Sequence, residues 1–251
     1  MRTALNFLVC ALSAAAKEPP ALALREMSTD RPDTTESAFT VPRGLWQFEM
    51  ETVSVSRDGG RQTEDWGSVN IKYGLTDSVD FQWVTPAWHT EAGGDGWTDT
   101  VLRLKWNLTG QSDGAALAVA LMPYIKLPVA GLGPGNQDIE GGLIIPMALT
   151  RGPGCDIAWM VQADIIRNDD DDGWTGALTL SGTAGFELTS RLSAFTEAVL
   201  TTPFEGDAEV YLNGGLIFAL NDDWCLDAGV NIGLDRAAED FRFFTGTSFR
   251  F

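Results

Sequence analysis

Thirteen charged residues fall at alternating positions beside apolar neighbours: Glu49, Glu51, Lys72, Asp80, Arg103, Lys105, Lys126, Asp164, Glu197, Glu209, Asp227, Arg242 and Arg250. In extended chain, alternate side chains share a face. A face carrying both signs can sort solutes by charge in a wet passage, or it can lock into ion pairs. A second charged group, Asp30, Arg31, Asp33 and Glu36, crowds around Pro32. Pro32 disfavours helix at Arg31. Metal chemistry is poorly served, because one His and three Cys nearly exclude a His/Cys site. No metal or cofactor is expected. The four acids Asp169 to Asp172 could hold Ca²⁺ or Mg²⁺ against phosphates, but they lack the EF-hand spacing and read as a solvated loop.

Strands must position these charges. Trp46, Phe48 and Met50 alternate with Gln47, Glu49 and Glu51, and Val69, Ile71 and Tyr73 with Ser68, Asn70 and Lys72. Leu102, Leu104, Trp106 and Leu108 alternate with Arg103, Lys105 and Asn107; Leu226, Val230 and Ile232 alternate with Asp227, Asn231 and Gly233. One apolar and one charged face suits a sandwich or a membrane barrel with a wet lumen.

An internal repeat favours the barrel. A large apolar residue, any residue, Leu, then Thr or Asn occurs at Tyr73–Thr76, Trp106–Thr109, Met147–Thr150, Phe186–Thr189 and Phe218–Asn221. Turn residues follow each copy: Asp77, Gly110, Gly152, Ser190 and Asp222. The spacings of about 32 to 41 residues each hold two strands, one short turn and one longer loop, the rhythm of an outer-membrane barrel. The fold class expected is all-β, an antiparallel transmembrane β-barrel of about 12 strands, closed first to last. The longer connections are read at Arg57–Thr63, Glu91–Gly96, Pro128–Asn136, Asn168–Gly173, Pro203–Asp207 and Asp235–Glu239.

Residues 1–23 read as a signal peptide: a basic start, an apolar stretch from Ala4 to Ala16, and small residues at Ala14–Ala16 or Ala21–Ala23 for cleavage. Residues 24–43 form an N-terminal periplasmic segment or a small plug, and residues 44–251 the barrel. The net charge of −18 excludes nucleic acid as a partner. Mean hydropathy is −0.03, and no apolar run reaches the length of a spanning helix.

Trp46, Trp106 and Trp224 fall near short-turn ends of strands, and Trp66, Trp88, Trp97 and Trp174 near long-loop ends, as two interfacial girdles would require. Trp83 and Trp159 fall nearer mid-strand. The chain closes on Phe241–Phe251, where odd positions are Phe or Thr. Strand parity turns Cys155 outward and Cys225 inward, so no disulfide is expected. Some barrels are lipid-modifying enzymes using Ser and His, but no Ser lies two residues after His89. No catalytic residue is assigned, and His89 reads as an interfacial side chain.

Ser28–Ser37, followed by Val41-Pro42-Arg43-Gly44 and an alternating strand, resembles the N-terminal signature of the MetA-pathway phenol-degradation family. Gly229–Leu234 and the terminal Phe251 are also similar; Thr34 departs from it, standing where an aromatic is expected. The resemblance implies an outer-membrane transporter for small solutes, with aromatic or apolar compounds as the class. A non-conducting structural or interaction barrel is the alternative. The partners expected are outer-membrane lipid and lipopolysaccharide, the barrel assembly machinery through Phe251, and a small-molecule solute.

Overall fold

A computed structural model describes residues 24–112, 114–129, 138–149, 155–168 and 173–251. The signal stretch, the Asp169–Asp172 run, Thr150 and Gly152 of the repeat and most of Pro128–Asn136 lie outside the described residues. The strands are β1 (Trp46–Asp58), β2 (Arg61–Gly74), β3 (Val79–Val84), β4 (Trp88–Glu91), β5 (Gly94–Trp97), β6 (Thr100–Thr109) and β7 (Leu117–Leu127). They continue with β8 (Glu140–Leu149), β9 (Asp156–Arg167), β10 (Trp174–Glu187), β11 (Leu192–Pro203), β12 (Glu209–Asn221), β13 (Trp224–Gly233) and β14 (Phe241–Arg250).

Twelve of these close a ring. Antiparallel neighbours run from β1 through β2, β3 and β6 to β14, which pairs back onto β1. The short β4–β5 hairpin extends the wall above β2 and β3. Closure reaches the last residue: Phe251 and Trp46 exchange backbone hydrogen bonds of 3.0 and 2.9 Å. The Phe251 ring also stacks 5.6 Å from that of Phe48.

The repeat has a physical cause. At its first copy the Leu75 and Thr76 N–H groups both donate to the Val79 carbonyl, and the Thr76 hydroxyl accepts from Ser78 N–H. At the fourth copy Leu188 and Thr189 donate to Leu192, and the Thr189 hydroxyl accepts from Arg191 N–H. The Thr side chain thus closes its own turn, which is why Thr recurs there.

Two of the longer connections differ from expectation. Arg57–Thr63 contains only a two-residue turn, Gly59-Gly60, with φ of 53° and 88°. Both angles suit the primed hairpin turns that match strand twist. Glu91–Gly96 lies within the β4–β5 hairpin. Parity also slips on β1: its register against β14 shifts between Glu51 and Val53, so Ser54 and Ser56 are the buried pair beyond it. A bulge inserts one residue and turns the following side chains to the opposite face.

The exterior is a band of exposed Leu, Ile, Phe and Trp, with Trp46, Trp106 and Trp224 at one end and Trp66, Trp88, Trp97 and Trp174 at the other. Cys155 and Cys225 are free thiols. The interior has two unlike walls. From β13 through β14, β1, β2 and β3 to β6 it is charged and polar. On the short-turn half of β7 to β9 it is apolar: Ala118, Ala120 and Ala148 form one cluster with Ala38, and Met122, Ile144 and Met160 form another, while Lys126, Glu140 and Asp164 lie toward the long-loop end and Ser181, Glu197 and Asn213 of β10 to β12 add polar groups.

Candidate functional site

Residues 28–41 lie within the barrel, against its inward-facing side chains, and residues 24–27 lie at its mouth. The segment enters at the end holding Phe251 and the short turns, turns back in mid-lumen at residues 30–36, and returns to start β1. The turn is tied across its base. Ser37 N–H donates to Asp30 Oδ1 at 2.9 Å, and the Ser28 and Ser37 hydroxyls lie 2.6 Å apart.

The charged wall holds this turn residue by residue. Asp30 pairs with both Lys72 and Lys105. Arg31 reaches the other way, to Asp227 at 2.7 Å and Glu51 at 3.2 Å, and its guanidinium lies 5.8 Å from the Phe244 ring centroid. Glu49 pairs with Lys72 and accepts the Asp30 and Arg31 backbone N–H groups at 3.0 and 3.2 Å. Glu36 accepts from Arg103 at 2.6 Å. Glu197 accepts from Thr34 N–H, Thr35 N–H, the Thr35 hydroxyl and Asn213 Nδ2. Asp80 accepts the Val41 N–H at 2.9 Å. A buried charge is tolerated only when it is paired and hydrogen-bonded. These partners supply that condition for Lys72, Lys105 and Glu49, and Glu197 is held by four hydrogen bonds instead; all four residues are at most 2 % exposed.

Of the remaining expected lumen residues, Arg242 joins this network through Glu51 and the others lie outside it. Lys126 pairs with Glu140 at 2.5 Å near the long-loop end. Asp164 accepts from Tyr124 and Gln162, and Glu209 from Tyr211. Arg242 pairs with Glu51 at 2.7 Å. Arg250 stands apart from the other lumen charges: it pairs with Asp223 of the β12–β13 turn at 2.5 Å. Its strand position lies at the very end of the barrel, level with Gln47 rather than with the acids above it. His89 Nδ1 lies 2.7 Å from Asp65 Oδ1, across β2 and β4.

The titration of the segment follows its surroundings. Burial alone would raise Asp30, but Lys105 and Lys72 outweigh it and hold the carboxyl well below the usual carboxylate range. Asp33 has no such cation. Burial, reinforced by the facing Glu197 and by Glu36, pushes it up to about 8. Burial also raises Glu36, against the opposing pull of Arg103.

Sequence alternation found the ionisable wall but missed the uncharged contacts. Asn107 donates to the Ala38 carbonyl, Gln111 accepts from Thr40 N–H, and Met160 Sδ accepts from Glu36 N–H at 3.4 Å. The apolar wall was missed because β7 and β8 are apolar on both faces, which erases the alternation. That loss of period in Leu117–Ile125 was itself the available signal. Beneath the turn, a cavity of about 440 Å³ opens among Phe39, Ala148, Ile157, Ala158, Phe195 and Ile217, with Arg25, Glu26, Asp33 and Asp156 on its polar side.

The family described as "Putative MetA-pathway of phenol degradation" matches residues 29–251. No curated protein matches the chain. Among solved structures, the COG4313 outer membrane channel from Pseudomonas putida F1 aligns with a TM-score of 0.59 at 14 % identity, over 88 % of this chain and 99 % of that one. The NanC porin aligns with a TM-score of 0.59 at 8 % identity, over 81 % and 98 %. The KdgM porin aligns at 0.55 and 9 % identity, over 82 % and 99 %. At these identities the likeness is one of fold: a closed, all-β barrel of outer-membrane type.

Proposed function

The chain belongs to the MetA-pathway of phenol degradation family, and on that premise we propose that it is a bacterial outer-membrane channel for small solutes of aromatic or apolar character, with residues 24–43 as a plug that limits passage. The single observation carrying this reading is the divided lumen. An apolar stripe of Ala118, Ala120, Met122, Ile144, Ala148 and Met160 faces inward. Part of this stripe packs Ala38 and Phe39 of the N-terminal segment, and the part around Met122, Ile144 and Met160 forms a separate apolar cluster. A solute with an apolar body gains from such a wall, because it trades water for it as it passes.

A non-conducting barrel is the second reading, favoured by the number of contacts that seat the plug. We read transport rather than catalysis, since no Ser lies two residues after His89 to serve as a nucleophile. The partners in this reading are outer-membrane lipid and lipopolysaccharide around the apolar band, and the barrel assembly machinery through the exposed Phe251 side chain.

Single-channel recording of the refolded chain in a planar bilayer tests the reading. Discrete steps that grow when Arg31→Met loosens the plug are the expected result. A barrel that shows heat-modifiable gel migration but no steps, with or without the substitution, favours the non-conducting alternative.

A further inference from the structure

We propose that Asp30 and Glu36 of the plug occupy a carboxylate-binding site of the lumen, and that the barrel's ligand is a small organic acid with an apolar body, which competes with them for Lys72, Lys105 and Arg103. The inference rests on the channel reading above and gives it a solute class.

The three cations are neighbours in the wall. Lys72 on β2 stands opposite Gln82 on β3, which stands opposite Arg103 on β6; Lys105 lies two residues further along β6, opposite Asp80. Among the described residues, Glu49 and Asp80 are the wall carboxylates beside the two lysines. The plug supplies the rest: Asp30 on Lys72 and Lys105, and Glu36 on Arg103. With the plug withdrawn, the Lys72 and Lys105 side chains, 2 % and 0 % exposed, lose the carboxylate they share. Lys72 keeps Glu49, while the opened patch, with Lys105 and Arg103 freed of the plug's carboxylates, attracts an anion.

Glu36 fills its place incompletely. It meets Arg103 through one oxygen and one Nη1. Among the described residues, its buried Oε2 and the buried Arg103 Nε have no hydrogen-bond partner. A guanidinium can bind a carboxylate through two parallel bonds, a geometry that a free acid adopts without the constraint of a chain. The apolar wall adjoins this spot: the backbone N–H of Glu36 touches Met160 Sδ, and Met160 packs with Met122, Ile144 and Tyr124. A ligand whose head meets the cations therefore has its body against the thioethers.

Competition sets the expected magnitudes. If the site is open in about one molecule in a hundred, apparent affinity is weakened by about a hundredfold, and neutralising the competitor restores it. The experiment is calorimetric titration of the folded, detergent-solubilised full chain with benzoate, using benzamide as the uncharged control. Asp30→Asn/Glu36→Gln is expected to bind benzoate at least about tenfold more tightly than the native chain, to ignore benzamide, and to lose the gain when Lys105→Gln is added. Equal binding of benzoate and benzamide overturns the proposal, as does an unchanged benzoate affinity in a folded double variant. Should the double variant fail to fold, Glu36→Gln alone is read against the same outcomes. Binding needs no conduction, so a barrel that binds benzoate without channel steps refutes the channel reading alone. A barrel that conducts without preferring benzoate refutes only the carboxylate site.

Discussion

Arg31 and Asp227 are separated by 196 residues in the chain and by 2.7 Å between Nη2 and Oδ1. The pair ties the N-terminal segment to β13, on the side of the lumen away from Lys105. Because Asp30 points one way and Arg31 the other, two consecutive side chains brace the plug across the barrel.

Arg31→Met leaves the nearly buried Asp227 carboxylate without its cation, whereas Glu51 keeps Arg242. Breaking a fully buried pair costs about 3–5 kcal/mol, and the cost here is smaller because the Arg31 side chain retains some exposure. A lower midpoint of heat-modifiable unfolding is expected, with substantial recovery in Arg31→Met/Asp227→Asn, where neither charge is stranded. No recovery in the double variant would show that the pair is not what couples these sites.

Glu197→Gln acts at the tip. The carboxylate accepts four hydrogen bonds, two of them from the Thr34 and Thr35 backbone. Each oxygen accepts two of these bonds, so a glutamine NH₂ in place of either one faces two donors, and each left unsatisfied costs about 1–3 kcal/mol. Amide exchange at Thr34 and Thr35 should rise by roughly tenfold or more, since about 1.4 kcal/mol is a factor of ten. Unchanged exchange would remove Glu197 from the plug's anchorage.

Gly74 marks where the plug's return strand passes closest to the wall. Gly44 N–H donates to the Gly74 carbonyl at 2.8 Å, and Gly74 N–H to the Leu45 carbonyl at 3.1 Å. An added Cβ would collide with the Pro42 carbonyl, a backbone group that cannot rotate away. Gly74→Ala should therefore lower the thermal midpoint of the barrel markedly. Gly182→Ala, whose Cβ would find its nearest neighbours at 3.9 Å, is the control expected to change it little.

The docked plug should weaken as pH rises. Asp33 titrates near 8 in place and near 3.8 in an unconstrained chain, so the docked state holds a proton that the released state gives up. The stabilisation is complete below about pH 4, declines through neutrality and is gone once pH passes about 8. Protease cleavage within residues 24–43 should accelerate from pH 6 to pH 9. Asp33→Asn should reduce that rise, because an amide has no proton to lose, and leave the part that the raised Glu36 contributes. A pH profile identical in the two proteins would exclude Asp33 as its source.

The strands of the charged wall were legible residue by residue. In β6 and β13, period-2 alternation places Lys105 and Asp227 inward beside outward Leu104 and Leu226, because a one-sided environment imprints itself on every second residue. The Leu-Thr turn repeat marked the short-turn end for the same local reason: the Thr hydroxyl bonds within its own turn. Closure was legible from the last strand, whose Phe and Thr residues alternate up to Phe251.

Other features have no local signature. The bulge at Thr52 reverses parity on β1 without any unusual residue, and β7 conceals its inner face because Leu117, Val119, Met122 and Ile125 are apolar whichever way they point. The sequence left the Asp30–Glu36 turn as either tail or plug. Its partners Lys72, Lys105, Asp227 and Glu197 lie on four strands that meet only when the ring closes. Strand identity, the count of the ring and the facing of the regularly alternating strands were therefore determined by the sequence, through interactions between near neighbours in the chain. The seating of the plug, the division of the lumen and the choice of partner for each charge were decided by the tertiary structure, because ion pairing depends on distance in space and strand closure sets that distance.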